Sequence, residues 1–298
     1  MTDRVTVGGV TVASKPVRAL KGVVLALCCA AVIVPFAGIV STSLATREQL
    51  TRDGGFVLWP DQVSFAAYAA ILSGGVVTRA TLVSLFVTAA GTALSMAATI
   101  LLAYGLSRPR SVAHRPLLMV VLFALLFTPG IIPSYLVVKS LGLLDSYWAL
   151  ILPVAVNAFN VIVLRAFFLD LPREVIDGAR IDGAGDLAIL FRIVLPLSRA
   201  VLAVIGLFYA VAYWNAFFSA LLYLNDTAKW PLQLVLRTYV VNQTQLGVDQ
   251  LGAAGTALPP QEAIQMAILV LSIVPVLVVY PFVQRHFTKG VLLGAVKG

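Results

Sequence analysis

The chain has 298 residues, 60% of them hydrophobic and only 11% charged, against roughly a quarter charged in an ordinary soluble domain. A mean hydropathy of +0.97 excludes a soluble globule and also a soluble enzyme tethered by one anchor. The net charge of +8 comes from bases scattered among short connections, so they form no continuous face for nucleic acid, and no nucleic-acid partner is expected.

Marking every Lys, Arg, Asp and Glu leaves six long uncharged windows, at residues 22–46, 80–107, 116–138, 146–164, 200–225 and 263–284. A helix of about 20 apolar residues crosses roughly 30 Å of hydrocarbon, so each window predicts a span, the fourth being the shortest. Runs such as Leu117-Leu118-Met119-Val120-Val121 do not alternate as barrel strands must, and the predicted class is an all-α membrane protein with six transmembrane helices. Cys28 and Cys29 are adjacent, cannot build a disulfide framework, and read as small hydrophobes. The first window is too long for a signal peptide and lacks a small-residue cleavage pattern, so it is expected to stay. The expected organisation is a cytoplasmic segment at 1–21, a six-helix domain at 22–284 with a large inner loop at 165–199, and a cytoplasmic tail at 285–298.

Orientation follows from the bases. With six crossings both termini share one side, and alternate connections carry fifteen of the 21 Lys and Arg on that side against six on the other. The positive-inside bias puts both ends and the loop between spans four and five in the cytoplasm. The outer connection from Asp226 to Glu262 is long for a bundle.

The windows contain no ionisable group, which weighs against proton-coupled pumps, charged-ring channels and intramembrane metalloproteases. The two histidines, His114 and His286, stand in basic clusters without a ligand partner at metal spacing, and read as solvated or headgroup-facing rings. No G-x-x-x-x-G-K-[ST] loop is present, so driven transport would need a separate nucleotide-hydrolysing subunit. No catalytic residue, metal or cofactor is expected. Uncharged polar groups do occur at membrane depth: Asn157 and Asn160 in span four, and Tyr213, Trp214 and Asn215 in span five. Amides bond hydroxyls and aromatic rings pack on sugar faces, although such groups also tie helices together or sit at interfaces. Pro35, Pro129, Pro133 and Pro275 are expected to break their spans, which lipid tolerates only where neighbours or a cavity satisfy the backbone.

The inner loop carries most information. Pro172 to Ile181 reads as a short helix, with Glu174 favourable at its start and Gly183 and Gly185 supplying the freedom to stop. Val175, Ile176 and Ala179 share one face and Arg173, Asp177 and Arg180 another; Leu187, Leu190, Phe191 and Val194 repeat helical spacing into Leu195-Pro196. The result is an elbow with an apolar and a charged face, suited to docking in a partner's groove or to lying on lipid.

The spacing Asp177-Gly178-Ala179, Gly183, Ile193 and Leu195-Pro196 resembles the EAA motif of permease subunits from binding-protein-dependent ABC importers. Asp-Gly-Ala stands where the family usually has Glu-Ala-Ala. The segments Gly142–Trp148, Tyr213–Phe218 and Trp230–Leu234 and the tail Lys289–Gly298 are similar to the maltose-type carbohydrate class, in its complex-oligosaccharide branch. The resemblance implies a type I importer fold and a permease that hydrolyses nothing itself. It implies that Asp177, Gly178, Ala179, Arg180, Asp182, Gly183, Leu195 and Pro196, within the 172–196 loop, contact a cytoplasmic ATPase. The tail residues Gly294, Ala295, Val296, Lys297 and Gly298 would reach the ATPase dimer, and the outer connection 226–262 would face the binding protein. A second permease forming a heterodimer, two ATPase subunits, an extracytoplasmic solute-binding protein and membrane lipid are the implied partners, in a bacterial plasma membrane. The competing reading is a self-sufficient secondary transporter of a small polar solute, which expects internal repeats and a coupling-ion site.

Overall fold

Backbone groups in lipid have to be satisfied within each segment, and helices do this. The computed structural model describes residues 5–7, 10–12, 15–108, 113–242, 247 and 258–295. A short antiparallel hairpin, β1 (Val5–Val7) and β2 (Val10–Val12), precedes the helices and pairs Val5 with Val12. The sequence reading contained no strand there.

The chain divides into two units, residues 1–73 with 246–270 and residues 74–245 with 271–298. In the first, α1 (Lys15–Ser43) runs unbroken through Pro35. Its far end meets a cap made of α2 (Arg47–Arg52), α3 (Ala66–Ile71) and the loop between them. Thr42 Oγ1 accepts from Val57 N–H at 2.9 Å, Gln49 bonds the backbone of Trp59 and Asp61, and Ser43 Oγ meets Tyr68 Oη at 2.7 Å. Gly38 lets the Phe56 ring lie against α1, since a Cβ would stand 2.2 Å from the ring's far end and displace it.

In the second unit the centre is α4 (Val76–Ser107). One face of α4 buries Ser84, Val87, Gly91, Ser95, Thr99 and Ala103, small residues about one turn apart that let other helices approach closely. Against it pack α8 (Ala158–Leu169) and α12 (Arg199–Trp214). The third window is divided by Phe127–Gly130 into α5 (His114–Leu126) and α6 (Ile131–Ser140). Pro129 accordingly breaks its span. Pro133 sits in the first turn of α6, where its missing N–H costs nothing. Pro35 and Pro275 break nothing: α15 (Gln261–Ala295) is continuous like α1, because losing one hydrogen bond is tolerable when flanking turns remain apolar and helical.

A break not read from the sequence lies in the fourth window. There α7 (Trp148–Ile151) passes into a 3₁₀ turn, Leu152–Val154, and α8 follows at 50° to the preceding segment. Pro153 explains it, since it offers no N–H. The Ile151 carbonyl accepts from Tyr213 Oη at 3.2 Å, and Asn157 N–H donates to Tyr209 Oη at 3.0 Å. The same hydroxyls reach α4: Tyr213 meets Ser95 Oγ and Tyr209 meets Thr99 Oγ1, both at 2.7 Å.

The fifth window is α12 followed by α13 (Phe217–Tyr223). The connection from Asp226 to Glu262 then forms α14 (Leu232–Leu236) and one further turn to Val241, with Leu232, Leu234 and Val235 buried. It is therefore partly packed structure, anchored where Leu232 N–H donates to Ser84 Oγ at 2.8 Å. Tyr209→Phe and Tyr213→Phe should each destabilise the detergent-solubilised chain by about 1 kcal/mol, the double variant more. A double variant with an unchanged thermal midpoint would show that these hydroxyls do not hold the break.

Candidate functional site

The elbow at 172–196 is built as the sequence reading requires in its first arm. Pro172 is the N-cap of α9 (Arg173–Ile181), one position outside the helix, and Glu174 lies in its first turn. Gly183 N–H donates to Arg180 O at 3.0 Å and Ala184 N–H to Ala179 O at 2.9 Å, the paired bonds of a Schellman stop. Gly183 has φ of +80°, a left-handed conformation that L side chains resist. Gly185 is extended and caps α10 (Asp186–Ile189). Arg180 bridges the arms, 3.9 Å from Asp177 and 3.5 Å from Asp186.

The second arm differs. Leu190–Val194 form a π-helical turn before α11 (Leu195–Leu197), and α12 leaves at 86°. The extra residue in that turn shifts the face, so Ile189, Leu190 and Val194 are buried while Leu187 and Phe191 point out at 66% and 61% exposure. In the first arm Ile176 is buried and Ala179 packs on the core, but Val175 is exposed and Ile181 reaches 87%. The elbow thus grips the body through one apolar set and presents a second outward.

Behind α9 lies a cavity of about 510 Å³ walled by the ends of α4 and α8 and by the elbow. Tyr104 Oη donates to Asp186 O at 3.0 Å and accepts from Arg108 Nη2 at 2.7 Å; Arg165 Nε donates to Leu106 O at 2.8 Å. His114 contributes a half-buried ring whose Nδ1 has no partner among the described residues. His286 lies where only the helical backbone of α15 is described.

A second cavity, about 360 Å³, sits at the break of the fourth window. It is lined by Asn157, Phe159, Asn160, Phe208, Tyr209 and Tyr213, with Val154 and Ala212. Three of the five polar candidates are thereby brought together. Asn157 Oδ1 is engaged, accepting from Asn160 N–H at 3.1 Å as an N-cap. Trp214 and Asn215 are elsewhere: Trp214 is buried and donates Nε1–H to Ser272 O at 2.9 Å, and Asn215 is exposed with Nδ2 donating to Val211 O.

At the opposite end of the same unit Asp145 forms a node. Its φ is +57°, its Oδ1 accepts from Asn225 and Asp226 N–H at 3.1 and 3.0 Å, and its Oδ2 accepts from Lys229 Nζ at 2.8 Å. The Lys229 hydrogen bond, with the Asp226 amide next, holds the Asp145 carboxyl below its ordinary range, and Asp145 in turn raises the Lys229 ammonium.

Residues 95–293 match the family described as "Binding-protein-dependent transport system inner membrane component", a stretch that contains the elbow and both cavities. The chain belongs to this family. It is therefore a multi-pass permease subunit of an ABC importer, and nucleotide hydrolysis belongs to a separate subunit. Among curated proteins it is 50% identical to the polygalacturonan/rhamnogalacturonan transport system permease protein YtcP of Bacillus subtilis, over 89% of this chain and 93% of that one. It is 46% identical to Protein LplC of Bacillus subtilis, over 89% and 90%. Among solved structures, a chain of a bacterial ABC transporter that imports the acidic polysaccharide alginate matches with a TM-score of 0.84 and 32% identity, over 93% of this chain and all of that one. A chain of an alginate transporter complexed with a pentasaccharide-bound periplasmic protein matches at 0.55 and 15%, a likeness of fold.

Sequence reasoning about this permease missed Tyr209, Phe208 and Phe159 in the second cavity. The signal was available for Tyr209, which precedes Tyr213 by one helical turn. It also missed the clamp role of Asp145. Of the tail, Gly294 and Ala295 belong to α15, while Val296, Lys297 and Gly298 lie outside the described residues.

The clamp has a testable pH window. A depressed carboxyl stabilises the fold above its ordinary value near 3.8 and loses this as pH falls through the depressed one; a raised lysine stabilises below 10.5 and loses this as pH rises further. Asp145→Asn should therefore lower the thermal midpoint equally at about pH 6 and about pH 9, the gap to the parent narrowing in strong acid and again in strong base. A gap that changed between those two pH values would contradict the clamp.

Proposed function

We propose that this permease imports a carbohydrate, in the oligosaccharide class, and that its inner elbow is the surface through which a cytoplasmic ATPase moves it. The observation that carries the coupling is the outward set of apolar residues on an otherwise charged elbow: Val175, Ile181, Leu187 and Phe191 are exposed beside Asp177, Arg180 and Asp182. Apolar residues projecting from a short helix suit a groove on a soluble partner. Asp177, Gly178, Ala179, Arg180, Asp182 and Gly183 form the contact, and Leu195 and Pro196 carry its movement into α12. The tail from Gly294 reaches the same ATPase.

The carbohydrate assignment rests on relatives named for polygalacturonan, rhamnogalacturonan and alginate. The cavity at the break offers what such a solute needs, with amides of Asn157 and Asn160 beside the rings of Phe159, Phe208, Tyr209 and Tyr213. Trp214 and Asn215 support this cavity from outside its wall. A second, homologous permease completes the pathway against the apolar faces of α5 and α6, where Met119, Leu126 and Ile132 are exposed. The assembly contains two ATPase subunits and receives solute from a binding protein on the side of α14. Both termini face the cytoplasm, around a membrane domain at 22–284.

Gly183→Ala forces a Cβ into the left-handed region at a cost of about 1 kcal/mol and misaligns the arms, so ATP-driven sugar uptake should fall at least several-fold with membrane insertion unchanged. Asp177→Ala should abolish uptake by removing a charged contact. Unchanged uptake in both, measured with labelled oligosaccharide in whole cells, would refute the coupling role. Gly178 has open space around it, so Gly178→Ala should stabilise α9 by about 1 kcal/mol and leave uptake intact; lost uptake would mean that the partner packs against the glycine itself.

A further inference from the structure

We infer that the cavity behind the elbow binds the phosphate of an acidic membrane lipid. Four arginines line it, Arg108, Arg165, Arg173 and Arg180, against one carboxylate, Asp177. Only Arg180 is ion-paired among the described residues, and it takes up Asp177 together with Asp186. Arg108 and Arg165 are half-buried. Arg108 lies over the Tyr104 ring at 4.6 Å and donates to its hydroxyl, yet its Nε is buried without a partner among the described residues, as is Nδ1 of His114. Partly buried cations lacking counter-charge are costly and call for an anion.

The chemistry of the walls selects the anion. Guanidinium groups match the oxygen pairs of a phosphate better than a point charge does. The start of α5, at His114, adds the positive end of a 13-residue helix. The remaining wall is apolar, formed by Leu106, Phe168, Leu169, Leu171 and Val194. A free phosphate makes no use of such a wall, whereas a phospholipid lays its glycerol and first methylenes on it. The cavity also lies at the ends of apolar helices carrying the positive-inside bases, where anionic headgroups concentrate. Its volume of about 510 Å³ is within the usual range of ligand sites.

A lipid seated there touches the elbow and the helix ends together. It ties α9, through Arg173, to the body, through Arg108 and Arg165, and so sets how readily the elbow moves. The lipid's own presence needs no ATPase and no sugar, so it is read independently of the proposed transport function.

The test is native mass spectrometry of the full chain, delipidated in detergent and titrated with dioleoylphosphatidylglycerol or dioleoylphosphatidylcholine. The parent should hold the acidic lipid about tenfold more tightly, and Arg108→Gln with Arg173→Gln should abolish that preference while leaving binding of the neutral lipid unchanged. Arg192→Gln, on an exposed base outside the cavity, should behave as the parent. Inorganic phosphate is the second probe: competition at millimolar concentration in the parent and not in the double variant supports a phosphate site whose natural source is the lipid. Saturation by phosphate without any lipid preference assigns the site to a soluble anion and overturns the lipid source. Equal binding of both lipids without phosphate competition, or a preference that survives the double substitution, overturns the site, and leaves a partner protein's carboxylate as the counter-charge.

Discussion

The fold depends on how a broken membrane helix keeps its backbone satisfied. Pro153 interrupts the fourth window, and in hydrocarbon each freed polar group costs energy that water would otherwise offset. Two tyrosines of one helix supply the missing partners: Tyr213 donates to the Ile151 carbonyl and Tyr209 accepts from the Asn157 amide. Each hydroxyl then closes onto Ser95 or Thr99 of α4. Gly91 is part of the same device, since a Cβ there would meet the Tyr213 ring at 2.8 Å. The three elements are thus joined by polar contacts as well as by a shared apolar core, and apolar area alone discriminates weakly between helix partners in a lipid solvent.

That device also makes a cavity. A continuous fourth helix would pack along α12 and leave no space between Asn157, Asn160 and the rings of α12. The break opens about 360 Å³ at membrane depth, and the hydroxyls that hold it are spent on the protein. Asn160 and the aromatic faces then line the remaining space.

Much of this was readable from residues alone. Charge-free windows located the helices because burying a charge in lipid is expensive, and Gly183 marked the elbow's stop because few other residues adopt its φ. The kinds of error are physical too. Breaks were expected at Pro35, Pro129, Pro133 and Pro275 and not at Pro153, yet Pro35 and Pro275 are carried inside long helices whereas Pro153 and Pro129 are not. What separates them is the tertiary partner for the freed groups, and local sequence does not contain it. Leu187, Leu190, Phe191 and Val194 share one face at a period of 3.6, but the π turn at Leu190–Val194 divides them, burying Leu190 and Val194 and exposing Leu187 and Phe191. The bases at 108, 165 and 173 were counted for topology, and nothing in their spacing reveals that they meet in one cavity.

The topology itself links the two cavities. Helix α8 starts at the break, beside Asn157, and its last turn leads through Pro172 into the elbow. Helix α12 starts where the elbow ends, at Arg199, and reaches the break again at Tyr209 and Tyr213. The elbow is therefore the connection between two helices whose far ends line the cavity at the break. The turn of 86° at Ser198 is held by backbone and side-chain bonds from Ser198 to the Val194 carbonyl, at 3.0 and 2.6 Å, so a displacement of α10 and α11 is passed on to α12 rather than absorbed. Under the proposed coupling, rigid arms and a rigid corner are what the elbow requires, and an acidic lipid held by the arginines at its root, as inferred above, would set the stiffness of the joint.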